Sequence, residues 1–174
     1  AVDLLLQQAR LEDEPLDVLA EAADLARDGQ VLESWIDGVA DLVSGDELPA
    51  AAVVPVIALA AAAAIECGDT LRAADLWQLA WDQDPDSADA REGVLALRRE
   101  AGDPQRLAAD LERALMLGNE ADRTALRLEL AELKKNVLGR PRDAVRLVFE
   151  VLVSEPHHAG ARALAEQLAR NPVC

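Results

Sequence analysis

Aromatic residues are almost missing from this chain: its 174 residues include no Tyr, one Phe and three Trp. Sheets draw much of their cross-strand stability from aromatic and β-branched pairs, so a sheet-built core is excluded as the main architecture. Cysteine is as sparse. Cys67 and Cys174 alone cannot form the disulfide framework of a small secreted scaffold, and a reducing, cytoplasmic setting is expected. Lysine occurs only at Lys134 and Lys135, and 17 basic residues face 33 acidic ones, a net charge of −16. A chain of that sign has little to offer a phosphate backbone or an anionic membrane surface, which argues against nucleic acid as a partner. Long hydrophobic runs are missing too. The uncharged stretch from Ala50 to Ile65 is mostly Ala and contains Pro55. It falls short of the roughly 20 residues that span a bilayer, so no membrane insertion is expected. No stretch has the basic start and apolar core of a leader, but the chain opens on Ala1 rather than Met and is expected to be processed or an excerpt of a longer protein, so that absence carries little weight.

What is present is aliphatic. Hydrophobic residues make up 51% of the chain, chiefly Ala, Leu and Val, enough to bury a sizeable core and to exclude disorder. Charge is divided unevenly along it. Residues 1–87 carry 19 acidic and 3 basic side chains, whereas residues 88–174 carry 14 of each. Acidic surface in general aids solubility. So lopsided a division also suits an N-terminal half that faces a basic partner or a basic neighbouring domain.

Apolar residues recur at helical spacing: Leu126, Leu130, Leu133 and Val137 form one seam, and Ala144, Leu147, Val148, Val151 and Leu152 another. Helices are expected near 2–12, 15–28, 31–43, 49–67, 70–83, 87–101, 104–117, 120–138, 141–154 and 158–170. Gly68-Asp69, Gly102-Asp103-Pro104 and Gly139-Arg140-Pro141 each place a Gly suited to the left-handed residue after a helix, and Gly29 is expected to mark a fourth such turn. The intervals of 39, 34 and 37 residues are those of helix-pair arrays. Asp84-Pro85-Asp86-Ser87, Gly118-Asn119 and Glu155-Pro156 fall between them as joints from one pair to the next. An isolated pair is too small to fold alone, and stacking covers its apolar faces.

At these residues the chain resembles the tetratricopeptide repeat family. After Gly68 come Ala73, Trp77, Ala80 and Pro85, the family's small, aromatic, Ala and Pro positions. Gly139 is followed by Ala144, Val148, Val151 and Pro156, a partial match with Phe149 one residue off the aromatic position. Gly102 leads to Leu107, Leu111, Ala114 and Asn119, and Gly29 to Ser34, Gly38, Asp41 and Asp46, which keep little beyond the period. The match is therefore best over 54–87. The resemblance implies an all-α, right-handed α-α superhelix of about four helix pairs plus terminal helices. It would form a single domain over 1–174, with units near 15–45, 49–87, 88–119 and 120–156 and a terminal helix at 158–170. Ala73 and Ala80 lie seven residues apart on nearly one helix face, where bulk would force neighbouring helices apart. Trp77 sits between them and is expected to plug the core, while Trp81, one turn on, is expected to stay half exposed at an interface.

Chemistry is hard to find. His157 and His158 are adjacent in a joint, and consecutive residues point apart, so a helix cap suits them better than a metal site. Cys67 has no local base and is expected to fill core space. Asp82-Gln83-Asp84-Pro85-Asp86-Ser87 alternates acids as a calcium loop does, but Ser87 and Gly93 stand where that loop requires Gly and a bidentate Glu. Asp86 or Ser87 serves instead as the N-cap of the following helix. No catalytic residue, no metal site and no cofactor are expected.

What remains is surface. The resemblance implies a partner-binding groove lined by the first helices of successive pairs, here Pro55, Ala58, Ala62 and Ile65 beside Asp89, Glu92, Ala96 and Arg99. The same residues 50–65 can also be read as a central helix covered on every side. The expectation is a non-enzymatic scaffold that binds a peptide or helix of another, basic protein. The alternative is a subunit that assembles with itself or within a larger complex, since Ala159, Ala161, Ala163, Leu164, Leu168 and Ala169 spread apolar residues around the last helix.

Overall fold

The computed structural model describes residues 2–12, 14–117 and 120–170, the side chains of 120–122 excepted; the Gly118-Asn119 joint and Cys174 lie outside them. Every regular element among these residues is an α-helix. They are α1 (Val2–Ala9), α2 (Leu16–Asp28), α3 (Leu32–Ser44), α4 (Ala50–Glu66), α5 (Thr70–Gln83), α6 (Ala88–Ala101), α7 (Pro104–Leu117), α8 (Glu120–Asn136), α9 (Pro141–Ser154) and α10 (Ala159–Arg170). The helices gather into two compact units, Ala1–Ala101 and Gly102–Cys174. The division falls at the turn between α6 and α7.

In unit 1, α5 packs against both α4 and α6, and α3 packs on α4. The turn from α4 to α5 shows why the sequence folds back there. Gly68 adopts φ +80°, its N–H donates to the Ile65 carbonyl at 2.9 Å, and the Asp69 N–H reaches the Ala64 carbonyl at 2.9 Å. That pair of bonds closes a helix around a left-handed residue, a conformation glycine adopts without Cβ strain. Asp69 then caps α5 by accepting from the Arg72 N–H at 2.9 Å. Gly102 and Gly139 also take positive φ, and Asp103 accepts from the Arg106 N–H at 3.1 Å in the same way.

The N-terminal turn departs from expectation. Gly29 has φ −83° and the left-handed residue is Gln30 at φ +57°, with Val31 N–H bonded to the Ala26 carbonyl at 2.9 Å. Helix α2 simply runs one residue further than the glycine suggests. Asp46, at φ +54°, plays the same role one residue after Gly45.

The core of unit 1 is built on Trp35, Trp81, Leu19, Ile36, Ile57 and Val94, all fully buried, with Ala60, Ala64, Ala73 and Ala80 between them. Here the two tryptophans of α5 exchange their expected places. Trp81 is fully buried, and its Nε1–H donates to the Pro85 carbonyl at 3.2 Å, so one ring both fills the core and ties down the next joint. Trp77 is half-buried, and its ring lies over Gly93 of α6, where an added Cβ would come within 2.5 Å of Cδ2. A bare helix backbone is what admits the indole there.

In unit 2, α8 packs against α7 and α9, and α10 against α9. Leu111, Ala114, Leu130, Ala131, Ala144, Val148 and Val151 form its core, and Ala161, Leu164 and Leu168 seat α10. Val137 leaves its expected seam because α8 ends at Asn136, and it is exposed. The motif positions fall where close packing requires, with Ala73, Ala80, Ala114 and Ala144 fully buried and Pro85 and Pro156 exposed in joints. The chain thus folds as tetratricopeptide-like helix pairs.

Candidate functional site

All eight residues expected to line a partner-binding face are exposed. Pro55, Ala58, Ala62 and Ile65 follow one another on a single stripe of α4, whose opposite side, Val56, Ile57, Ala60 and Ala64, is buried. Ile65 is 48% exposed, a large aliphatic group in water at the end of a helix that carries no charge before Glu66. The reading of α4 as a helix covered on every side is therefore corrected: its neighbours α2, α3 and α5 leave one side open. Asp89, Glu92, Ala96 and Arg99 occupy a corresponding outward stripe of α6. Both helices pack on α5.

Two hollows of unit 1 escaped the sequence reading. One, of about 270 Å³, is lined by Glu14, Pro15, Leu16, Asp17, Pro49, Ala51, Ala52 and Pro55. The other, of about 510 Å³, is bounded by Asp46, Ala50, Val53, Val54, Gln83 and Asp84. Each sets carboxylates beside an apolar floor. The signal that could have found them is an acid close to proline at a helix start, in Glu14-Pro15-Leu16-Asp17 and Asp46-Glu47-Leu48-Pro49.

Ion pairs tie the pairs of unit 1 together. Arg27 Nε meets Glu66 Oε2 at 2.8 Å, Arg10 Nε meets Glu47 Oε2 at 2.7 Å, and Arg72 bridges to Asp37. The Arg27 guanidinium holds the Glu66 carboxyl below its ordinary range, mainly through their hydrogen bond. Arg98, almost fully buried on α6, bonds Asp75 of α5 at 2.6 Å. Unit 2 repeats the device: Lys134, only 4% exposed, bonds Glu112 of α7 at 2.5 Å and lies 3.8 Å from Asp143 of α9.

The remaining candidates are structural or exposed. His158 Nδ1 accepts from the Ala161 N–H at 3.2 Å, a cap on α10, while His157 is exposed. Ser87 Oγ accepts from the Ala90 N–H at 3.2 Å and so caps α6. Cys67 is exposed rather than core filler, because it stands past the last packed residue of α4 at the helix end. Among the described residues no group of three or more His, Cys, Asp or Glu side chains could hold a metal ion, and no helix is long and apolar enough to cross a membrane.

No family model and no curated protein matches the chain. Solved structures do. Two crystal structures of MamA share 14% and 13% identity, cover 85% and 89% of this chain and 88% and 86% of theirs, and superpose with TM-scores of 0.48 and 0.47. TTC0263, a thermophilic TPR protein of Thermus thermophilus, shares 16% identity over 98% of this chain and 100% of its own, with a TM-score of 0.47.

Proposed function

We propose that the chain is a non-enzymatic protein-interaction module, a single repeat array over 1–174, whose acidic first unit receives a peptide or helix of a basic protein. The observation that carries this reading is the open stripe of α4. Pro55, Ala58, Ala62 and Ile65 present an apolar strip with no charge of its own, inside a unit bearing 22 acidic and 6 basic side chains. Apolar contact supplies affinity, and surrounding carboxylates speed and orient the encounter with a cationic partner. The acidic hollows at Glu14–Asp17 and Asp46–Asp84 extend the same chemistry. The setting is a reducing, cytoplasmic one, where an exposed Cys67 stays free.

Affinity capture with the intact chain supplies the partner for the test. Ala62→Glu and Ile65→Asp are expected to weaken its binding at least about tenfold, or about 1.4 kcal/mol, with the helical circular dichroism unchanged. The association rate should fall between about 0.02 M and about 0.15 M salt. Affinity indifferent to both substitutions overturns the reading, and a defined oligomer of the isolated chain by light scattering shifts it to self-assembly.

A further inference from the structure

Unit 2 carries an apolar groove that the partner face of unit 1 does not use. It lies between α9 and α10, about 270 Å³ in volume, with Val145, Phe149 and Leu152 on one wall and Ala165, Leu168 and Ala169 on the other. Phe149 is 66% exposed, and Val145 and Val153 beside it on the same helical stripe are exposed as well. The volume is just below the roughly 300–1,000 Å³ of pockets that enclose a small ligand, so the groove fits anchoring side chains of a larger partner.

The charges at its edge decide which partner. Helical spacing sets Arg142 and Arg146 along the outer border of the Val145–Phe149–Val153 stripe, and Arg162 on the corresponding border of α10. All three are exposed and form no ion pair with the described residues. The acids nearby are already engaged: Glu150 with Arg127 at 3.2 Å, Glu166 with Arg170 at 3.6 Å, and Asp143 facing Lys134. Unit 2 carries 11 acidic and 11 basic side chains, so these three unpaired arginines give the border of the groove a positive character that the unit as a whole lacks. Arg142, in the first turn of α9, also stands against the helix dipole, which favours anions there.

We infer that the α9–α10 groove is a docking site for an acidic amphipathic helix of another protein, its apolar side chains seated between Phe149 and Leu168 and its carboxylates on Arg142, Arg146 and Arg162. One turn of α9 separates Val145 from Phe149, matching anchors at i, i+3 or i+4, and i+7 of the incoming helix. This inference is independent of the partner face on α4.

A random 16-residue display library, selected on the intact chain, tests it without presupposing charge. Enriched peptides should carry net negative charge with Leu, Ile or Phe at helical spacing, and a representative one should bind the Phe149→Asp chain at least about tenfold more weakly. Repeating the selection on the Arg142→Glu/Arg146→Glu chain should turn the enriched set basic. These side chains are exposed, and circular dichroism verifies that each variant folds. Absence of enrichment, basic or uncharged peptides on the original chain, or the same set on Phe149→Asp overturns the assignment. Concentration-dependent self-association that Phe149→Asp abolishes also overturns it, because the occupant is then a second copy. Peptides indifferent to Phe149 but lost with Ile65→Asp overturn it as well, since they report on the α4 face instead.

Discussion

The two units build similar interiors and different exteriors, one acidic and one neutral overall. Unit 1 holds 22 acidic and 6 basic side chains, unit 2 holds 11 of each. The first buries Trp35 and Trp81 and half-buries Trp77; the second leaves its only aromatic, Phe149, in water. Inside, both use alanines at the close approaches, and both latch a first helix to the preceding one through a buried cation, Arg98 to Asp75 and Lys134 to Glu112, spaced 23 and 22 residues apart. Packing fixes the inner positions, since a bulky group there separates helices, whereas outward positions are free to carry whatever a partner demands. The difference between the units is thus a difference of surface assignment on one scheme.

The largest test of this comparison lies in the aromatics. Trp81→Ala should cost about 3–5 kcal/mol in a denaturant melt, as for a fully buried ring, and Trp77→Ala about half that, because only part of its ring leaves water. Phe149→Ala should stay within about 0.5 kcal/mol. A Phe149 cost as large as that of Trp81 breaks the comparison. Next comes the latch. Removing both Glu112 and Asp143 as Ala strands the buried Lys134 ammonium and should cost about 2 kcal/mol, less than a fully buried pair because Glu112 is half exposed; Lys134→Met should be nearly neutral. A smaller gain is expected from the turns. Gln30→Gly and Asp46→Gly relieve left-handed backbone in residues that carry a Cβ, and each should raise stability by about 0.5–1 kcal/mol, seen as a higher melting temperature.

The smallest effect is that of pH. The folded Glu66 carboxyl titrates below its unfolded value, so the contribution of its bridge to Arg27 is complete above the unfolded pKa and is lost as pH falls through the folded one. Glu66→Gln should therefore slightly lower stability at neutral pH and flatten the acid limb, the two curves meeting once pH falls below the folded pKa. An identical acid limb contradicts the assignment.

Helix positions were legible because period and punctuation agree: nine of the described helices begin and end within two residues of the sequence expectation, and only α1 stops three early, where Leu11 N–H turns back to the Gln8 carbonyl. Facing was legible where small residues set it, as at Ala73 and Ala80. It was not legible for Trp77 and Trp81. Four residues apart on one helix, they are distinguished only by Gly93 across the interface and by the carbonyl of Pro85, both tertiary facts. The same holds for the left-handed residue at Gln30, since a neighbouring glycine marks a turn without fixing which residue adopts the positive φ. Exposure of the α4 stripe depended on where α2, α3 and α5 lie, which the periodicity of an all-apolar helix cannot report.

The central claim, that the acidic unit receives the partner through α4 and α6, is tested most directly by amide hydrogen exchange of the intact chain with and without its captured partner. Predicted is added protection over residues 58–65 and 89–99, extending to the helix starts near 14–17 and 46–54, with 102–117 unchanged. Protection confined to 145–169, or none anywhere in residues 1–101, contradicts it.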